Sequence, residues 1–109
     1  MRWIIIAITI SIGMATAAAA QDAKVSRGEK LYVDQKCSLC HSIGDKGNKK
    51  GPLDGVASKM KADEIREWIV DAPGEAAKHK ASRKPMMKAY TLPKEDLDAL
   101  VAYLVTLKK

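Results

Sequence analysis

Phenylalanine is absent from this 109-residue chain, and two Trp and three Tyr are its only aromatic residues. A core built mainly from large rings is therefore excluded. Cysteine is nearly as scarce, with only Cys37 and Cys40, so no disulfide-rich scaffold is possible. With His41 and His79 as the only histidines, a structural zinc site could reach four ligands only by recruiting His79. No convincing strand pattern flanks the cysteines, which counts against a thioredoxin-like redox pair, and no internal repeat is visible. Acids are missing from one stretch: between Ala76 and Tyr90 there is none, while Lys78, Lys80, Arg83, Lys84 and Lys88 fall there.

What is present is concentrated in Cys37-Ser38-Leu39-Cys40-His41. Two thiols three residues apart lie on one face of a helical turn, where both can form thioethers with the vinyl groups of a porphyrin. The adjacent imidazole can bind iron through one nitrogen while the other donates a hydrogen bond that fixes the ring. A plain disulfide leaves His41 without a part. The motif reads as covalent attachment of one haem c, and a buried porphyrin also supplies the large apolar surface that the missing rings do not.

The N-terminus reads as a secretory leader. Met1-Arg2 gives a positive start, Trp3 to Ala15 is nearly all apolar, and Ala18-x-Ala20 is a small-residue cleavage signature. The expected organisation is a signal peptide at 1–20 and a single domain at 21–109, exported or periplasmic. The competing reading is a retained anchor, because the 18 uncharged residues Trp3 to Ala20 would span roughly 27 Å as a helix. Export suits the motif, since both thiols are consumed by attachment.

Within the mature chain, a first helix is expected from about Lys24 to Lys36, with Gly28 suggesting close approach of another helix. Residues 42–59 are polar and glycine-rich and read as loop. A second helix follows over Ala62 to Asp71, with Ile65, Trp68 and Ile69 on its inner stripe. Ala72 to Leu92 reads as irregular and basic and contains Met86 and Met87. The last helix starts near Pro93 and runs to about Leu107, on the spacing of Leu97, Leu100, Val101 and Leu104. Trp68 reads most simply as a core residue; its indole N–H, a buried donor in need of a partner, could find one in a haem propionate.

Taken in order, Gly28 and Tyr32, the Cys37–His41 motif, Gly51-Pro52-Leu53-x-Gly55, a methionine loop and Leu97-x-x-Leu100-Val101-x-Tyr103-Leu104 resemble a class I c-type cytochrome domain. The resemblance implies an all-α fold of three to four helices wrapped around one covalent haem, with the first and last helices crossing at Gly28 and Tyr103. It implies that the Pro52 carbonyl accepts the second N–H of His41. It also implies a sixth ligand from the methionine loop: Met87, which has Tyr90 three residues later, with Met86 as the alternative and His79, Met60 or a lysine behind them.

His/Met ligation closes the iron to substrates and raises its potential, so the expected function is one-electron transfer rather than enzymatic turnover. The alternatives are a haem subunit of a larger oxidoreductase complex, or a gas-binding or peroxidatic protein with a displaceable sixth ligand. Without Arg2 the domain carries 18 basic and 13 acidic residues, a net +5 before any haem propionates. The cations of 78–88 would steer an acidic redox-partner protein toward the haem edge. Nucleic acid is not an expected partner of an exported protein, and the mature domain is expected to be a monomer without membrane insertion.

Overall fold

The computed structural model describes residues 14–109. Five α-helices are described: α1 (Met14–Asp34), α2 (Val56–Lys59), α3 (Ala62–Val70), α4 (Ala72–Lys78) and α5 (Lys94–Leu104). A single two-residue hairpin, β1 (Ser42–Ile43) against β2 (Lys46–Gly47), is the only sheet among them. The fold is thus all-α, as the periodicities imply. Residues 1–13 of the predicted leader lie outside the described residues. No described helix is long and apolar enough to cross a membrane.

Helix α1 begins well before Lys24, because Ala15 and Ala17 to Ala20 are the strongest helix formers and continue the same helix. Its far end crosses α5. A Cβ built on Gly28 would lie 2.7 Å from both the Ala99 carbonyl carbon and the Tyr103 Cβ, so only glycine permits the approach. The Arg27–Asp96 ion pair lies beside the crossing. Tyr32 and Tyr103 meet there with ring centroids 6.0 Å apart.

The core joins Tyr32 of α1, Ile65 and Ile69 of α3, and Leu100, Val101 and Leu104 of α5. Arg66 Nη2 reaches Asp98 Oδ1 at 2.7 Å and ties α3 to α5. Pro93 caps α5, and Glu95 and Asp96 occupy its first turn, where negative charge suits the helix dipole. The α-helix stops at Leu104, three residues before the expected end. Leu107 still packs on the core from a terminal turn. Ser58 then ties down the C-terminus through bonds of 2.9 and 3.0 Å to Lys109 N and O.

Two stretches correct the sequence reading. Residues 42–59 hold the β1–β2 hairpin and the short helix α2 where loop was expected, with Gly55 at a φ of 76° turning the chain into α2. Ala72 to Leu92 is irregular only after Lys78, because Ala72–Lys78 forms α4. Pro73 and Gly74 look like helix breakers, yet proline is tolerated in a first turn, where its missing N–H has no partner to lose. Asp71 Oδ1 accepts the Gly74 N–H at 3.2 Å and caps the new helix.

Candidate functional site

Past Asp34 the chain reverses at Lys36, whose φ of 58° lies in the left-handed region, and enters a 3₁₀ turn at Cys37–Leu39. Such a turn repeats every three residues and brings positions i and i+3 to the same side. Cys37 and Cys40 are therefore aligned as attachment requires, and they are free thiols rather than a disulfide. Burial pushes the Cys37 thiol pKa up from its ordinary value. The His41 N–H closes the turn on the Cys37 carbonyl at 2.9 Å.

His41 Nδ1 lies 3.0 Å from the Gly51 carbonyl oxygen. A carbonyl only accepts, so Nδ1 carries the proton and the lone pair of the neutral ring is on Nε2. Burial lowers the His41 pKa from its ordinary value; the Gly51 bond opposes this and the nearby Arg83 charge adds to it. The neutral imidazole is the form that binds a metal.

This contact corrects the expectation for Pro52 by one residue. Ser42 forms a parallel bridge with Pro52, in which Ser42 N donates to Gly51 O at 3.1 Å and Leu53 N to Ser42 O at 2.8 Å. That register brings the Gly51 carbonyl to the imidazole, and Pro52 itself is exposed and does not line the site.

Cys37, Cys40 and His41 open onto a cavity of about 560 Å³, within the size range of cofactor sites. Leu53, Val56, Ile65, Ile69, Leu100 and Leu104 make much of its apolar wall, and Trp68, Met60, Met86, Met87 and Tyr90 also line it. Met86 is 47% exposed, whereas Met87 is half-buried. His79 does not reach this cavity.

Two buried side-chain polar atoms lack a hydrogen-bond partner among the described residues, the Trp68 indole Nε1 and the Tyr32 hydroxyl. Both residues line the cavity. Buried donors are ordinarily paired, so their orphaning in an apolar chamber fits a ligand carrying polar groups at its rim. Two aligned thiols, one imidazole with a fixed tautomer, an apolar chamber and two orphaned donors together fit a covalently bound haem.

The Cytochrome c family profile matches residues 25–108. The chain belongs to the cytochrome c family. No curated protein and no solved structure matches it. As a cytochrome c domain it carries covalently attached haem c and belongs to the haem-based electron-transfer proteins. Cys37 and Cys40 are the residues that would hold the porphyrin, and His41 is the residue that would bind its iron.

Among the lining residues that the sequence reading did not assign to the site are Tyr32 and Arg83. Tyr32 carried a signal, a phenol on the inner face of α1. Arg83 was legible only as one of the cations of 78–88, because its approach to Gly51 joins segments far apart in the chain; a Cβ on Gly51 would lie 2.9 Å from its Cζ.

Proposed function

We propose that this cytochrome c domain is an exported, periplasmic monohaem carrier that passes single electrons with its iron held between His41 and Met87. The observation that carries the reading is the convergence of both thiols, the Nε2 lone pair of His41 and the half-buried Met87 on one apolar cavity. When bound, the haem supplies a one-electron Fe(III)/Fe(II) couple. The chain's own residues set its surroundings. Gly51 anchors the imidazole, Trp68 donates its indole N–H to a propionate, and the apolar wall excludes water. Met87 is favoured over Met86 because a ligand must turn into the cavity, whereas Met86 keeps nearly half its surface in solvent.

Among the described residues Lys80, Arg83, Lys84 and Lys88 make no ion pair, and Arg83 and Lys88 reach the cavity rim. These charges support an acidic redox-partner protein docking where the electron leaves. With ferrocyanide as an anionic donor, the reduction rate should fall as ionic strength rises, and less so in Lys84→Glu/Lys88→Glu.

Optical spectra of the purified protein in both redox states test the ligand assignment. The Met87→Ala variant should lose the iron–methionine charge-transfer band and the Met86→Ala variant should keep it; the reverse pattern transfers the role to Met86. Immediate binding of carbon monoxide by the ferrous wild type would replace the closed carrier with a gas-binding or peroxidatic protein. Sequencing the exported protein from Gln21 would establish leader removal, whereas an intact Met1 would establish the anchor.

A further inference from the structure

Glu75 is only 6% exposed, an unusual place for a carboxylate. Buried charges are costly unless paired, and the partners of this one lie within α4 and at its end. Its Oε1 is 3.1 Å from Lys78 Nζ and its Oε2 is 3.3 Å from His79 Nε2. The His79 backbone N–H also donates to the Glu75 carbonyl at 3.0 Å. His79 is thereby held at both backbone and ring.

What the ring meets is Trp68. The two rings stack with centroids 5.9 Å apart and planes 19° from parallel. Trp68 lines the haem cavity and its Nε1 is one of the two orphaned donors, whereas His79 is not among the residues lining that cavity and borders a separate cleft shared with Asp63, Glu64, Glu67, Glu75 and Lys78. The χ2 torsion of tryptophan is broad, so an indole without a flanking ring is free to swing. A charge-assisted bond to a carboxylate needs a fixed direction.

We infer that His79, fixed by Glu75, is a positioning residue that holds the Trp68 indole at the angle where its N–H meets a haem propionate. The inference rests on the propionate reading of Trp68 above. Its rival is a direct effect of any charge on His79, whose cleft holds four carboxylates, and the test has to separate position from charge.

Midpoint potentials are to be measured at one pH and one ionic strength for the haem-loaded wild type, His79→Ala, Trp68→Phe, the double variant and His79→Phe. The Trp68 indole ¹H–¹⁵N resonance is recorded for each protein that retains the indole. Only the part of the bond's strength that differs between the two oxidation states moves the potential, so losing it should change the redox equilibrium constant by up to about tenfold, about 59 mV for one electron. His79→Ala should shift the potential in the direction of Trp68→Phe, add nothing in the Trp68→Phe background and displace the indole resonance. His79→Phe, which keeps a ring over the indole, should restore both readings. Equal shifts in the two backgrounds, or an unmoved indole resonance, would overturn the inference. If Trp68→Phe leaves the potential unchanged, the propionate reading is what fails, and the inference that rests on it falls with it; equal shifts in the two backgrounds sink the inference alone.

Discussion

Replacing Gly28 by alanine tests the crossing on which the rest of the domain is assembled. The new methyl would overlap the Ala99 carbonyl and lie 2.7 Å from the Tyr103 Cβ. Neither obstacle can rotate away, because one is backbone and the other is the first atom of a side chain. Overpacking of this kind costs about 1–3 kcal/mol, while removing a glycine from a helix returns about 0.5–1 kcal/mol. The difference is a net loss of up to about 2.5 kcal/mol, which at about 4–8 °C per kcal/mol for a domain this small lowers Tm by up to about 10–20 °C. Far-UV circular dichroism melts of the haem-loaded protein read this directly. Lys30→Ala, on the exposed side of α1, should remain within about 0.5 kcal/mol of wild type. A Gly28→Ala protein melting at or above the wild-type temperature would refute the close approach and with it the reason for glycine there.

Three further perturbations probe the walls around the cavity. Burial pushes the Tyr32 phenol up to about 12 from an ordinary 10.0, so between those pH values the folded protein keeps a proton that the unfolded chain has lost and stability falls. Tyr32→Phe should flatten that alkaline loss in denaturant titrations, and an unchanged slope would contradict it. The Asp98 carboxyl is held below the ordinary 3.8, first by its hydrogen bond to Arg66 and then by Lys94. Its contribution is complete above pH 3.8 and disappears as pH falls through the depressed value, so the stability gap between wild type and Asp98→Asn should close in acid; a gap that persists there would sink the argument. Gly51→Ala would drive a methyl into the Cys40 carbonyl and the Arg83 guanidinium, and should lower Tm by about 1–3 kcal/mol worth of stability.

The parts of this molecule legible in its sequence are those fixed by neighbours along the chain. The haem motif lies within five residues, and the inner stripe of α5 repeats through Leu100, Val101 and Leu104. The crossing of α1 and α5 was legible through Gly28 by resemblance, and its geometry bears it out. The reading of Ala72 to Leu92 as irregular failed at α4, where a first-turn proline and the Asp71 cap made helix. The alanine run ahead of Gln21 likewise carried α1 upstream of Lys24. The identity of the carbonyl at His41 depended on the register between Ser42 and Pro52, and nothing local to either segment sets it. Arg83 and the His79–Trp68 stack are long-range meetings of the same kind.

The Gly51 carbonyl receives both the His41 ring N–H and the Ser42 backbone N–H. A single oxygen therefore serves the imidazole's orientation and the backbone bridge together. Tilting the ring means loosening a main-chain contact, and unzipping the bridge releases the ring. Redox tuning and local folding are in this way one degree of freedom on the His41 side of the domain. A loop that begins to fray there should be reported by drift of the midpoint potential before the helices begin to melt.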